Sequence, residues 1–316
     1  MRPILFSIGK LFVGSYAAMM FLAVLVAIGA TLVRARARAF DTSELAPALI
    51  VGLIGGWVVS RASLLIDPAA RNAGWRVFSP LQGGGGSLTY FGIGAAVGVV
   101  AFLLVRRQPI LVFADAFAPS ILLAVGIAKI GCLLSGCCEG SVCTSAFGIA
   151  YPYGSIVHEK HFANGIIQVP SDLLRSEAET KSTEHTLGHI QALRYEAAFA
   201  NQDENFRTRA ITPELVDRAA NFRSSPVWPV PIWTSLAAIV CGIAAEFVYR
   251  KRIRQGVTFA FALCAYGAIR LSLDWFLAER NYVVVGLSAA QWLGVIALIA
   301  GIAIYLIPRS VKLNPE

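Results

Sequence analysis

Charged side chains interrupt several long apolar segments of the chain, and they are the residues best suited to chemistry. Arg61, Lys129 and Arg270 each lie inside such a segment, as does Asp115, and Asp274 follows Arg270 at helical i,i+4 spacing. A charge in an apolar span is costly unless it faces protein or water, so these residues are functional candidates. Guanidinium and ammonium groups bind phosphate oxygens, which favours a phosphate diester as the ligand. The competing interpretation is that these cations snorkel to the membrane interface.

A second candidate site is a cluster of cysteines in and just after the segment Gly131–Gly140. It contains Cys132, Cys137, Cys138 and, just beyond, Cys143, which are four of the six cysteines of the chain. A disulfide is the interpretation we favour, provided that the segment faces an oxidising compartment. A zinc site is less favoured because two Cys-x-x-Cys pairs are not present, and a reactive thiol is the third alternative. The sequence therefore predicts a disulfide among these four residues and no metal ion.

The four histidines form two pairs with helical spacing. His158 and His161 are separated by three residues, and His185 and His189 by four, so each pair could supply half of a metal site. No Glu follows His185 to complete a zinc-protease motif. We therefore expect these histidines to lie on a solvated surface.

Long apolar runs show how these residues are positioned. Hydrophobic residues make up 56% of the 316 residues, charged residues only 15%, and the mean hydropathy is +0.64. A run of about 20 apolar residues is long enough to cross a bilayer as a helix. The expected spans are Leu11–Val33, Leu45–Ile66, Leu88–Val105, Ile110–Leu134, Trp228–Val248, Val257–Leu277 and Val283–Ile307. The sequence thus predicts an all-α integral membrane protein with seven transmembrane helices, the first of them retained rather than cleaved as a signal peptide.

The basic residues predict the orientation of these helices. They follow the odd-numbered spans and include Arg34, Arg36, Arg38, Arg106, Arg107, Arg250, Lys251, Arg252, Arg254, Arg309 and Lys312. Basic loops remain in the cytoplasm, which places the amino terminus outside and the carboxyl terminus inside. Because the net charge of +8 is concentrated at the ends of apolar spans, nucleic acid is not an expected partner.

Three regions follow from this topology. Residues 1–140 contain transmembrane helices one to four, residues 141–227 form a small extracytoplasmic head inserted between helices four and five, and residues 228–316 contain helices five to seven. Within the head, Thr212-Pro213-Glu214 predicts the start of a helix, because Thr can cap it and Pro is favoured in its first turn. A further helix is expected within Lys181–Phe199.

Two motifs carry a family resemblance. Lys129–Gly136 reads Lys-Ile-Gly-Cys-Leu-Leu-Ser-Gly, and Tyr266-Gly267 is followed by Arg270 and Asp274. They resemble the Arg-Ile-Gly-Asn-Phe-x-Asn-Gly signature and the Tyr-Gly-x-x-Arg-x-x-x-Glu motif of the prolipoprotein diacylglyceryl transferases. Weaker likenesses lie in the family's order at Tyr16, Ser60-Arg61, Gly86–Gly98, Asp115–Pro119, Gly148, Pro152, Pro229–Thr234 and Gly286–Gln291.

The chain departs from the family pattern at four functional positions. Phe91 stands where the family has a His, Lys129 where it has the signature Arg, Cys132 where it has Asn, and Thr234 where it has Glu. Lys keeps the positive charge but not the bidentate fork of Arg, and Phe cannot transfer a proton. The chain therefore resembles a divergent member of the family with a Cys-Cys variant of its signature.

The resemblance implies a transferase of lipoprotein biosynthesis in the bacterial inner (plasma) membrane. It would move the diacylglyceryl group of phosphatidylglycerol to the cysteine thiol of a prolipoprotein signal peptide, without a cofactor. Its implied catalytic residues are Arg270, Tyr266 and Asp274, and its implied phospholipid-binding residues are Lys129, Arg61, Tyr16 and Arg270. One alternative is a non-catalytic relative that binds phospholipid or lipoprotein, and another is a transporter, which is disfavoured because an internal repeat is not present.

Overall fold

Nine helices make up most of the described part of the chain. The computed structural model describes residues 4–8, 11–37, 43–65, 77–78, 88–176, 184–186, 213–251, 254–278, 282–284 and 286–307. The helices are α1 (Ser15–Ala37), α2 (Leu45–Ala62), α3 (Leu88–Val105), α4 (Ile110–Ser135), α5 (Ile156–Ala163), α6 (Pro213–Asn221), α7 (Val230–Arg250), α8 (Val257–Leu273) and α9 (Ala289–Leu306). Six of them, α1, α2, α4, α7, α8 and α9, are long and apolar enough to cross a membrane, whereas the apolar part of α3, Tyr90–Val105, is shorter. The protein is therefore a multi-pass, all-α membrane protein, and a seventh crossing by α3 stays a prediction.

Short paired strands lie before the first and before the last membrane helix, and a third pair lies between α5 and α6. Strands β1 (Ile4–Ile8) and β2 (Leu11–Gly14) form an antiparallel hairpin, β3 (Leu174–Ser176) pairs with β4 (Glu184–Thr186), and β5 (Tyr282–Val284) pairs with β6 (Leu287–Ser288). The predicted first span, Leu11–Val33, thus begins too early, and so does the last, Val283–Ile307. A run of β-branched valines favours a strand, and Gly286, with φ at +70°, permits the turn that follows it.

Helix α4 is the centre of the bundle. It packs against α1, α7 and α8, while α2 packs mainly on α3 and α9 mainly on α8. Glycine allows α8 and α9 to approach closely, because a Cβ on Gly267 would lie 2.6 Å from the carbonyl oxygen of Gly294. Small residues at helix contacts are typical of membrane bundles. Large apolar side chains such as Phe21, Phe247 and Ile299 are exposed, as expected for a lipid-facing surface.

Asp115 joins α4 to the start of α8. Its Oδ2 accepts a hydrogen bond from the Gly256 amide at 2.5 Å, and its Oδ1 accepts one from the Phe259 amide at 2.8 Å. The first amides of a helix have no intrahelical partner, so this carboxylate stabilises α8 at its positive end. Asp115, a functional candidate from the sequence, therefore has a structural role.

Arg34 has a similar structural role. Its Nε lies 2.5 Å from Glu246 Oε2, and its Nη1 donates to Ser120 Oγ at 2.6 Å, so it ties α1 to α4 and α7. Only 8% of the side chain is exposed, so Arg34 is a buried helix contact and not, as expected from the sequence, a residue of a basic loop.

The segment between α4 and α7 contains a small core of its own. Helix α6 begins at Pro213, as predicted, and it packs with Tyr153 and Leu173 in this core. The backbone of Ile149 exchanges two hydrogen bonds with Val227, which holds the two ends of the segment together. A helix was expected within Lys181–Phe199, but residues 184–186 form strand β4 instead. The rest of that range lies outside the described residues.

Candidate functional site

A small cavity opens between α4, α7 and the end of α8. It brings together Lys129 from α4 and Arg270 from α8, which are two of the three cations expected to bind phosphate. The residues lining it are Lys129, Val230, Thr234, Ile269, Arg270, Leu273, Asp274 and Leu277. Because most of this lining is apolar, the two cations are the groups that would attract an anion there.

Arg270 is held by a carboxylate that is itself held from another helix. Its Nη1 lies 3.5 Å from Asp274 Oδ1, with 24% of the arginine side chain and 2% of the aspartate exposed. Ser288 donates a hydrogen bond of 2.5 Å to Asp274 Oδ2, and Ser288 also caps α9 in a capping box with Gln291. In the described residues Arg270 Nε has no hydrogen-bond partner. The guanidinium is therefore oriented on one edge while donors remain for a ligand.

The cysteine cluster begins where α4 ends. Gly136, with φ at +73°, terminates the helix, and the amide of Cys137 bonds to the carbonyl of Cys132. The sulfurs of Cys132, Cys137 and Cys138 all lie within 4.8 Å of one another. Cys143 lies apart from these three, buried with its sulfur facing Gly148. The predicted disulfide stays a prediction, and the sulfurs of Cys132 and Cys138 lie 3.6 Å apart.

Lys129 connects the cavity to this cluster. Hydrogen bonding between Cys138 and the Cys132 and Cys137 sulfurs lowers the pKa of Cys138, and the nearby Lys129 ammonium lowers it further. Cys138 lies on the exposed side of the cluster. The sequence-predicted cation and the sequence-predicted thiols therefore form one continuous polar region.

The other predicted site residues lie around this region or away from it. Tyr16, 37% exposed on α1, lies next to Gly131 and close to the cysteine cluster. Tyr266 packs with the apolar cluster of Ala118 and Leu122, so it is absent from the cavity lining. Arg61, half-buried in the last turn of α2, is absent from that lining too. The roles assigned to these three residues stay predictions.

Phe91 and Thr234, which replace the family His and Glu, make structural contacts with their neighbours. The Phe91 ring lies against Gly56, where an added Cβ would come within 3.0 Å of it. The Thr234 hydroxyl donates to the carbonyl oxygen of Val230 at 2.8 Å, although Thr234 also lines the cavity. Neither side chain offers a base at its position.

A group of buried polar side chains next to the cysteines was not predicted. Tyr151 Oη, Glu139 Oε2, both nitrogens of His158 and Nδ1 of His161 are buried without a hydrogen-bond partner among the described residues. Burial lowers the pKa of His158 to about 4. Burial also lowers the pKa of His161, against the opposing charge of Glu139, and raises the pKa of Tyr151. Glu139 pairs with Lys160 at 3.2 Å.

These findings correct the expectation of a solvated histidine surface. His158 is fully buried, and its ring lies against that of Tyr153 with centroids 4.9 Å apart and planes tilted by 59°, while only 4% of His161 is exposed. The i,i+3 spacing was the available signal, since it puts both rings on one face of α5, but spacing does not say which way that face points. The side chains of His185 and His189 lie outside the described residues.

Comparison with known proteins provides independent information. The family model for prolipoprotein diacylglyceryl transferase matches residues 3–307. The chain is 30% identical over 155 residues, 48% of this chain and 61% of the relative, to a phosphatidylglycerol–prolipoprotein diacylglyceryl transferase of Clostridium tetani. It is 32% identical over 165 residues, 49% of this chain and 61% of the relative, to phosphatidylglycerol–prolipoprotein diacylglyceryl transferase 2 of Clostridium perfringens. It is 22% identical over 272 residues, 69% of this chain and 55% of the relative, to the transferase of Rhodopirellula baltica. The chain thus spans only 55 to 61% of the length of these relatives.

Proposed function

Because the chain belongs to the prolipoprotein diacylglyceryl transferase family, we propose that it moves a diacylglyceryl group from phosphatidylglycerol to the thiol of a prolipoprotein lipobox cysteine. The relatives carry both substrates in their names. The observation that supports this proposal most directly is that Lys129 and Arg270 line one cavity, where they can bind a phosphate diester.

In the proposed reaction, the thiolate of the lipobox cysteine attacks a glycerol carbon of the lipid. A sulfur–carbon bond forms as the bond from that carbon to the phosphate oxygen breaks, and glycerol phosphate leaves with the electron pair. Lys129 and Arg270 stabilise the charge on the leaving phosphate, which is the role that preorganised donors have in transferring groups. Asp274 and Ser288 keep Arg270 oriented for this contact.

The remaining predicted residues complete the proposal. Tyr266, one turn before Arg270 and packed against Ala118 and Leu122, would orient the Arg270 guanidinium or hydrogen-bond the lipid headgroup through its hydroxyl. Arg61 and Tyr16 would contact the phospholipid from α2 and α1. The thiol loses its proton to a group other than the family histidine, because Phe91 stands in that position.

The proposed location is the bacterial plasma membrane. Seven helices cross it, with the amino terminus outside, the carboxyl terminus in the cytoplasm, and residues 141–227 as an extracytoplasmic head. The basic residues after the odd-numbered helices support this orientation. It places the cavity near the outer leaflet, where the signal peptide of a secreted preproprotein is accessible.

A second candidate is a relative that binds phospholipid or lipoprotein without transferring a group. It is favoured by the structural contacts of Phe91 and Thr234, which leave two family positions without a proton-transfer group. Both candidates predict that the protein binds phospholipid, but only the first predicts that it transfers a diacylglyceryl group.

Mass measurement of a lipobox peptide distinguishes them. The purified chain is incubated with phosphatidylglycerol and the peptide, and a matched peptide with Ser in place of the lipobox Cys serves as the control. Transfer predicts that the mass of the Cys peptide alone increases by one diacylglyceryl group. An unchanged mass, with phosphatidylglycerol still bound to the protein, would establish the second candidate instead.

A further inference from the structure

Three cysteine sulfurs lie together at the end of α4. Cys132, Cys137 and Cys138 have all of their Sγ atoms within 4.8 Å of one another, and Cys132 and Cys138 are 3.6 Å apart. Tetrahedral zinc with Zn–S bonds of about 2.3 Å places its sulfurs about 3.8 Å apart. A disulfide needs about 2.05 Å between two sulfurs and would leave the third unpaired. The spacing thus already resembles the face of a metal tetrahedron.

The backbone that creates this cluster is unusual. Adjacent residues such as Cys137 and Cys138 normally direct their side chains apart, but Cys138 has φ at +59°, in the left-handed region. Gly136, two residues earlier, is also left-handed, so the chain folds back over the end of the helix. A side chain in this conformation is strained, and such strain is concentrated at functional sites.

We infer that Cys132, Cys137 and Cys138 form a zinc site with one open coordination position. Thiolates are ligands that zinc prefers, and zinc sites with three protein ligands keep the fourth position for water or substrate. Three thiolates give the site a net negative charge, which the nearby Lys129 ammonium offsets. Cys138 is exposed, which gives the ion access from solvent. This inference replaces the sequence expectation of no metal, because the sequence does not reveal that the three sulfurs converge.

The open position suits a thiol substrate, an extension that rests on the proposed function. A thiol bound to zinc loses its proton and remains nucleophilic as the thiolate. In the proposed transfer the lipobox thiol would release its proton to solvent and bind zinc. Its sulfur would then form the bond to the glycerol carbon while the phosphate leaves, with no change in the oxidation state of the ion. Zinc would thus supply the thiolate at a site where Phe91 has replaced the family histidine.

Metal content and cobalt substitution test the site itself. The full-length chain is purified in detergent without chelators, its zinc is measured, and Co²⁺ is exchanged in to report the number of thiolate ligands by charge-transfer absorption. We expect one metal ion per chain, and loss of that ion in Cys132→Ser and Cys138→Ser. Cys143→Ser is the matched control, because its sulfur lies outside the trio, and it should keep the ion. Monodisperse elution and thermal unfolding exclude variants that fail to fold.

Other outcomes would overturn the zinc site. One is metal retained at full stoichiometry in well-folded Cys132→Ser. Another is reduced wild-type protein that takes up no Zn²⁺ or Co²⁺. A third is a native disulfide, seen as two cysteines of the trio that react with maleimide in freshly isolated membranes only after reduction.

A lipobox peptide tests the open position separately from catalysis. Adding the Cys peptide to the Co²⁺ protein should increase the thiolate charge-transfer absorption, whereas the Ser peptide should leave it unchanged. No change with the Cys peptide would overturn the role of the ion as the thiol's partner. Zinc and thiol binding without any diacylglyceryl transfer would support this inference and refute the proposed function instead.

Discussion

Exchange of Arg270 for Lys separates its role in binding phosphate from its role in folding. Arg270 is a cation in an apolar helix, paired with Asp274 at 3.5 Å and lining the cavity that also contains Lys129. Lys keeps the charge that faces Asp274, but it cannot form two parallel hydrogen bonds to a phosphate. We therefore expect Arg270→Lys to fold normally and to transfer lipid poorly.

The magnitudes follow from these contacts. One lost hydrogen bond to a charged group is worth about 2 kcal/mol, which lowers the rate of transfer about thirtyfold. Arg270→Ala has a second effect, because it leaves the 2%-exposed Asp274 without its cation. Breaking a buried pair from one side costs roughly 3 to 5 kcal/mol. We expect Arg270→Ala to lower the free energy of unfolding by about 3 kcal/mol, at the lower end of this range. The reason is that 24% of Arg270 is exposed and Ser288 still donates to Asp274.

Lipobox-peptide mass, phosphatidylglycerol binding and thermal unfolding in detergent together measure both effects. Arg106→Lys is a matched control, because Arg106 is exposed at the end of α3 and pairs with Glu44. It should change neither transfer nor lipid binding. A well-folded Arg270→Lys or Arg270→Ala protein with undiminished transfer and binding would remove Arg270 from the site and leave snorkelling as the explanation of its position.

Three further predictions concern the fold and its orientation. A reporter fused after Arg254 should be cytoplasmic and one within residues 177–205 extracytoplasmic, and the reverse pattern would refute the proposed topology. Asp115→Ala should lower the free energy of unfolding by about 2 kcal/mol through loss of the cap on α8, with Asp115→Asn intermediate, and with unchanged lipid transfer per folded molecule. Because the pKa of His158 falls from 6.5 to about 4 on folding, stability should decrease as the pH falls from 6.5 towards 4, by up to about 3 kcal/mol. His158→Gln should flatten that pH dependence in thermal unfolding, and a profile equal to that of the wild type would show that another group is responsible.

The sequence was sufficient for features that depend on neighbouring residues. Long apolar runs predicted the membrane helices, and the i,i+4 spacing of Arg270 and Asp274 predicted their ion pair, because helical geometry alone brings such side chains together. The cap and proline at Thr212-Pro213 predicted the start of α6 for the same reason. The family motifs predicted the family, which the match over residues 3–307 confirms.

Only the tertiary structure determined which residues of different helices come together. The sequence placed Lys129 and Arg270 in separate helices, and only the packing of α4 on α8 puts them on one cavity while Tyr266 packs elsewhere. The same packing directs Asp115 at the first amides of α8 and buries His158. Helical periodicity determines which residues share a face, but long-range contacts determine what that face meets. The convergence of the three cysteine sulfurs depends on local backbone conformation, which the amino-acid sequence does not reveal. Two residues with left-handed backbone, Gly136 and Cys138, turn the chain so that the sulfurs meet.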